Sequence, residues 1–228
     1  MTRVAAVTGG AGAIGGAIAA GLRAAGHEVV IFDRNGDLPV DLGERSAVQT
    51  AAAAMLDRHG RCDVLVHAAA AFDRAPLSDL DPQLWHRVQA VNVESVLWLA
   101  QAVTPRMAEL GFGRIVFVVS DTVWDPAAGD MLSYVASKAA LIGIARTLAR
   151  SLGRDGITVN CVAPGLTATP AAVTGIAPEV FAAVRTRQAI SRDLTPDDVA
   201  AAVTFLVSDA AGAVTGQTLC ADGGLVLR

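Results

Sequence analysis

Short apolar runs with no polar alternation recur along this chain, each followed by a longer stretch with helical spacing. Glu28 to Phe32 holds Val29, Val30 and Ile31 in a row, which suits a strand covered on both faces of a parallel sheet. Similar runs stand at Arg3 to Val7, Val64 to His67, Ile115 to Val119, Thr158 to Val162 and Thr218 to Ala221. Helical patterns lie between them at Ala13 to Ala25, closed by Gly26, and at Ser46 to His59, Gln83 to Leu110, Ser133 to Leu152 and Pro196 to Ser208. The alternation predicts an α/β fold: a single doubly wound, Rossmann-like domain over residues 1–228, its parallel β-sheet flanked by helices on both faces. One interval breaks the rhythm, because only Arg34 to Asp37 separate the second strand from a possible third at Leu38 to Leu42. A parallel crossover usually takes about a dozen residues or more, so either a bare loop replaces the helix or the third strand is a short edge piece; the loop is the expectation.

Charge and cysteine usage narrow the partners. Eighteen basic against 22 acidic residues give a net charge of −4, and without a Lys/Arg run the footprint for nucleic acid or an anionic membrane is missing. Cys62, Cys161 and Cys220 are far apart and lack Cys-x-x-Cys spacing, so they predict neither a disulfide framework nor a metal site. The apolar start behind Arg3 is broken by Gly9, Gly10, Gly12, Gly15, Gly16 and Gly21, a poor core for a secretory signal. No segment approaches the ~18 apolar residues of a membrane span. A soluble, cytoplasmic protein is expected.

Thr8 to Gly15 reads Thr-Gly-Gly-Ala-Gly-Ala-Ile-Gly between a predicted strand and a predicted helix. Glycines there let the backbone approach a pyrophosphate, and the helix start offers unpaired N–H groups and the positive end of its dipole. Asp33 closes the second strand about twenty residues on, where a carboxylate accepts hydrogen bonds from ribose hydroxyls and repels a 2′-phosphate. Further along, Tyr134-Val135-Ala136-Ser137-Lys138 puts a phenol and an ammonium on one helix face. An ammonium one turn away favours the phenolate and is expected to lower the Tyr134 pKa toward useful values. Tyr134 is the single tyrosine and Lys138 the single lysine of the chain.

Together these residues resemble a classical short-chain dehydrogenase/reductase along nearly the full length. The family's glycine motif is similar to Thr8 to Gly15, its catalytic serine to Ser120 at a strand end, its Tyr-x-x-x-Lys to Tyr134 and Lys138, and its helix asparagine to Asn92. Asn160 to Gly165, Thr215-Gly216-Gln217 and Asp222-Gly223-Gly224 match further motifs in order. The resemblance implies a proton moved by Tyr134, a carbonyl polarised by Ser120, nicotinamide ribose held by Lys138, and a water relay anchored by Asn92. It implies a nicotinamide dinucleotide held by Gly9, Gly12, Ala13, Ile14 and Gly15, with Asp33, Arg34, Asp41 and Leu42 toward the adenosine. Ala68, Ala69, Ala70, Asn92, Tyr134, Lys138, Pro164, Gly165 and one or both of Thr167 and Thr169 complete the implied cofactor set. Residues 1–119 then form mainly the dinucleotide-binding half, and 120–228 the catalytic and lid half.

The chain also departs from the family pattern. His67-Ala68-Ala69-Ala70 stands where Asn-Asn-Ala-Gly is usual; His67, closing an apolar strand, is expected to be a structural hydrogen-bonding residue. Asp33 favours NAD, whereas Arg34 leaves NADP as the alternative. Val123, Trp124, Pro126, Met131 and Leu132, with Ala171, Val173, Ile176, Val180 and Phe181 after Pro164, predict an apolar wall and hence an apolar substrate. Ser120 to Trp124 also resembles the corresponding stretch of aryl-alcohol dehydrogenases in the family, and together these imply a hydrophobic or aromatic secondary alcohol or its ketone. The rival activities are reduction of a 3-oxoacyl or polyketide thioester, and a nucleotide-binding regulator without turnover. A homotetramer is implied by the resemblance.

Overall fold

A computed structural model describes residues 2–227. The chain starts with β1 (Val4–Thr8), passes through α1 (Ala13–Ala24), and returns in parallel as β2 (Glu28–Asp33). All five residues of β1 are buried, since it pairs with β2 on one edge and β4 (Val64–His67) on the other and is covered on both faces. That is why its sequence is apolar without alternation. β2 lies nearer the sheet edge, and only Val30 and Phe32 are buried in it, a less complete cover than the unbroken Val29 to Phe32 run predicts.

After β2, residues 34–37 turn without a helix into β3, and β3 is only Leu38–Pro39, parallel to β2. The bare loop is thus present, and the edge strand is short as well. Asp37 accepts the Ile31 N–H at 2.9 Å, so a side chain does part of the work of a strand partner. α2 (Arg45–His59) then leads to β4.

The stretch expected as one helix from Gln83 to Leu110 is α3 (Pro82–Gln89), a π-helical turn over Ala90–Glu94, and α4 (Ser95–Glu109). β5 (Gly113–Val118), α5 (Leu132–Leu152) and β6 (Ile157–Pro164) follow. The segment after β6 forms two short helices, α6 (Pro170–Gly175) and α7 (Pro178–Arg187), before α8 (Pro196–Val207) and β7 (Thr218–Ala221).

The seven strands run in the order β3-β2-β1-β4-β5-β6-β7, every pair parallel. Alternate side chains feed two cores. Ala6, Phe32, Leu65, Ile115, Phe117 and Val159 pack beneath α2, α4 and α5, for instance on Met55, Leu99 and Leu141. Ala5, Val7, Val66, Val116 and Val162 pack on Ile18 and Leu22 of α1 and Val199 and Val203 of α8. The strand order reverses between β1 and β4, where a crevice opens beyond the carboxyl ends of the strands. Among the described residues no helix is long and apolar enough to cross a membrane.

Candidate active site

At the reversal point the chain has little room for side chains. Gly9 follows β1 with φ +69°, and a Cβ there would lie 2.7 Å from the Ala69 backbone. A Cβ on Gly15 would lie 2.2 Å from the Gly9 carbonyl oxygen. Both glycines are therefore required by the close approach of the glycine turn to the strand-β4 turn and to itself. Gly12 N-caps α1 without a side-chain hydrogen bond, which leaves the N–H groups of the first helical turn without intrahelical partners.

The turn borders a cleft of about 990 Å³. Of the residues expected from the sequence, Gly9, Gly12, Ala13, Ile14, Gly15, Asp33, Arg34, Asp41 and Leu42 line it, as do Ala68, Ala69, Ala70 and Thr169. Val40, Gly43, Glu44, His86, Arg87 and Val91 line it too, and none of them belongs to a motif legible in the sequence. Asp33 closes β2 with Oδ2 accepting the Ala11 N–H at 3.2 Å, which ties the carboxylate to the glycine turn. Asp41 Oδ1 accepts the Gly43 N–H at 2.9 Å and shapes the bend before α2.

The two threonines after Gly165 separate clearly. Thr167 is buried, donates to the Gly165 carbonyl at 2.9 Å and bridges to Leu194. Thr169 lines the cleft and caps α6 through its hydroxyl, which accepts the Ala172 N–H at 3.1 Å. Pro164 ends β6, and a Cβ on Gly165 would meet Asp222 at 3.0 Å. Pro164, Gly165 and Thr167, expected among the cofactor contacts, are not part of the cleft lining.

His67 is fully buried. Thr8 Oγ1 accepts N–H bonds from Ala68 and Ala69, both at 3.2 Å, so its own hydrogen goes to His67 Nδ1 at 2.8 Å. The other ring nitrogen, Nε2, then carries the proton and donates to the Asn92 carbonyl at 3.0 Å. Burial, assisted by the charge of Lys138, pushes the imidazole down to about 3, so it stays neutral. The histidine thus joins the ends of β1 and β4 to the π-helical turn.

Asn92 lies in that turn, fully buried. Its Oδ1 accepts the Ala71 N–H at 2.6 Å, and Nδ2 donates to the Ala71 carbonyl at 3.0 Å and to Ser137 Oγ at 2.9 Å. Both amide hydrogens are engaged in bracing, so the relay expected of Asn92 has only its oxygen atoms to work with.

Ser120 follows β5, and α5 carries Tyr134 and Lys138 past it. The Ser120 hydroxyl donates to Asp121 Oδ1 at 3.3 Å and accepts from Thr122 Oγ1 at 2.9 Å. Lys138, buried, donates to the Val118 carbonyl at 2.7 Å, and its Nζ stands 5.5 Å from the Tyr134 ring centroid. Burial lowers the Lys138 pKa to about 8. The same cause raises that of Tyr134 to about 12; the Ser120 hydroxyl opposes the rise and the Asp121 charge adds to it. The lowering expected from Lys138 is not present in the chain by itself: desolvation outweighs an ammonium that is turned to a strand carbonyl.

Two residues beside this group carry no sequence signal of their own. Phe72 meets the Tyr134 ring edge-on and is 51% exposed. Arg74, two residues on, pairs with Asp130 through two hydrogen bonds of 3.0 and 2.8 Å, fixing the Phe72 loop to the segment before α5. Asp121 is 6% exposed next to Ser120.

Comparison with known proteins places this geometry. Residues 9–226 match a family model described as enoyl-(acyl carrier protein) reductase. The chain is 31% identical to D-threitol dehydrogenase of Mycolicibacterium smegmatis, covering 99% of this chain and 94% of that protein. It is 38% identical to cis-4-hydroxycyclohexanecarboxylate dehydrogenase of Sinomonas cyclohexanicum, with 97% and 96% covered. Acetoacetyl-CoA reductase of an Acinetobacter strain is 33% identical over 99% of this chain and 98% of its own length. Among solved structures, the TT0495 protein of Thermus thermophilus superposes with a TM-score of 0.93 at 35% identity, with 99% of each chain covered. With this fold, this order of motifs and these relatives, the chain belongs to the short-chain dehydrogenase/reductase family of NAD(P)-dependent oxidoreductases.

Proposed function

We propose that this protein interconverts an apolar, aromatic secondary alcohol and its ketone, with NAD in preference to NADP. The observation that carries the reading is the placement of Ser120, just past the end of β5, next to the helix that carries Tyr134 and Lys138, with Lys138 Nζ 5.5 Å from the Tyr134 ring centroid and the Phe72 ring against the phenol ring. A serine and a tyrosine so placed can hold one oxygen atom and move one proton at it. The cleft suits a dinucleotide: a Cβ would fill the space at Gly9 and Gly15, and the uncapped start of α1 faces it.

Bound nicotinamide supplies the acceptor or donor of a hydride. The N–H groups of Ala13, Ile14 and Gly15 would hold the pyrophosphate. Asp33 would accept ribose hydroxyls and oppose a 2′-phosphate, while Lys138 would turn from Val118 to the second ribose. Ala68 to Ala70 and Thr169 would border the nicotinamide end. In oxidation Tyr134 takes the hydroxyl proton of the alcohol, and in reduction it returns a proton to the carbonyl oxygen. Ser120 holds that oxygen in both directions.

Thioester reduction has one observation in its favour, the similarity to an acetoacetyl-CoA reductase. The rim weighs against it: Arg87 is already paired with Asp73 and Arg74 with Asp130, so neither is free for an acidic carrier. A regulator without turnover would have no use for Ser120, Tyr134 and Lys138 together.

Nicotinamide absorbance, followed with aromatic, aliphatic, polyol and 3-oxoacyl substrates and with both dinucleotides, tests the reading. Turnover of aromatic alcohols or ketones by the wild type, lost by about 10² to 10⁴-fold in Tyr134→Phe, is the expected result. Activity confined to polyols or to thioesters would overturn the substrate class, and turnover retained in Tyr134→Phe would overturn the mechanism.

A further inference from the structure

Ser120 has one hydroxyl hydrogen and more than one claimant for it. Thr122 donates twice to Ser120 Oγ, from its backbone N–H at 3.2 Å and from Oγ1 at 2.9 Å. Both lone pairs of the serine oxygen are then taken. Its remaining O–H lies 3.3 Å from Asp121 Oδ1, and the same hydrogen, turned to Tyr134, would favour the phenolate. One hydrogen cannot point fully at both.

Asp121 is buried, and the charged groups around it leave it uncompensated. Asp125, in the same loop, is engaged by Arg187 of α7 at 2.5 Å. Asp222, after β7, accepts the N–H groups of Gly224 and Val226 at 3.0 and 2.9 Å. Tyr134 faces it from α5, and Lys138, one turn further, donates to the Val118 carbonyl. Among the described residues no ion pair reaches Asp121. Burial first, with the charges of Asp222 and Asp125, pushes its carboxyl up to about 6; the hydrogen bond from Ser120 holds it back.

We propose that Asp121 is a positioning residue acting through Ser120: as a carboxylate it holds the serine hydrogen and sets negative charge beside the oxygen-binding pair, and as a neutral acid it releases that hydrogen toward Tyr134 and the substrate oxygen. The inference rests on the alcohol–ketone reading above. Negative charge gathers on the reacting oxygen in one transition state that serves both directions, so the carboxylate slows oxidation and reduction by the same factor. Protonation of Asp121 removes the brake in both.

The single tyrosine of the chain makes the test direct. A carbon-13 label at Cζ of tyrosine gives one resonance, from Tyr134, which senses the charge of Asp121 and the direction of the Ser120 hydroxyl. In the wild type that resonance should shift through an inflection near pH 6, and in Asp121→Asn the inflection should be gone. The ratio of kcat/KM between Asp121→Asn and wild type should be close to one near about pH 5 and rise to roughly threefold to tenfold near about pH 8, in both directions. Asp121→Ser serves as a second uncharged variant where the asparagine form folds poorly. A flat wild-type resonance, or an inflection that survives in both variants, would overturn the inference. An inflection that vanishes as expected in a protein that turns over no alcohol or ketone would instead overturn the proposed reaction, leaving the Asp121–Ser120 linkage standing.

Discussion

The ring of Phe72 stands edge-on against that of Tyr134, with centroids 4.6 Å apart and planes at 80°. An edge-to-face pair of this kind contributes about 0.5–1.5 kcal/mol beyond its buried area, yet half of Phe72 remains open to solvent. The open half is positioned to contact whatever approaches the phenol. Phe72→Ala is expected to raise KM for aromatic substrates by about tenfold, at ~1.4 kcal/mol per tenfold, with a smaller effect on kcat. Steady-state kinetics with an aromatic and a short aliphatic ketone checks this, since the aliphatic substrate should be affected less.

Replacing His67 by leucine removes two hydrogen bonds and leaves the Thr8 hydroxyl and the Asn92 carbonyl without those partners. A loss of about 1–3 kcal/mol per unpaired buried group is expected near neutral pH. The pH dependence has a definite sign. The folded imidazole titrates at about 3 against 6.5 in the unfolded chain, so the unfolded state binds the extra proton between those values. Wild-type stability falls as pH drops below about 6.5, and His67→Leu should lack this component. Thermal melting of both proteins from neutral to acid pH measures the difference.

Asp121 has the opposite kind of shift, with a folded pKa of about 6 against an ordinary 3.8. Above about 6 the folded protein must keep the carboxylate charged in its buried site, and the cost disappears as pH falls toward 3.8. Asp121→Asn is therefore expected to be more stable than wild type at neutral pH, by about 1–3 kcal/mol, and to lose that advantage near about pH 4. Denaturant unfolding at the two pH values tests it without reference to turnover.

Dinucleotide choice should follow Asp33. Its carboxylate closes β2 on the cleft beside Arg34, with Oδ2 on the Ala11 N–H. Asp33→Ser is expected to weaken NADH use by about tenfold and to improve NADPH use, because Arg34 then meets a 2′-phosphate without an opposing charge. Kinetics or binding of both dinucleotides to both proteins decides it.

How much of this was legible in the sequence depends on where each interaction originates. β4 could be read to its end residues because a strand deep in a parallel sheet is apolar on both faces. The glycine turn could be read because Gly9 and Gly15 are forced by contacts within a few residues or across one strand pair. The break between α3 and α4 could not, since Asn92 is held in the π-helical turn by Ala71 and Ser137, far away in sequence. Of the short helices α6 and α7, the first buries no residue and the second only Phe181, so no strong periodicity marks them. Helix-face arithmetic correctly put Tyr134 and Lys138 together, but it carries no information on burial, and burial reverses the expected shift of the phenol. Phe72 and Asp121 matter only through what the fold sets beside them.

The bond from Lys138 to the Val118 carbonyl has a consequence for the outside of the molecule. The chain's one lysine side chain is inside, 2% exposed, so side-chain cations on the described surface are arginine guanidinium groups, with histidine joining them when protonated. Guanidinium groups keep their charge far into alkali and are poor acceptors of acyl groups. Acetylation or isopeptide attachment at a lysine side chain therefore has a single target, shut between β5 and α5. Its rate of reaction with an amine-directed acylating reagent would count how often that packing opens.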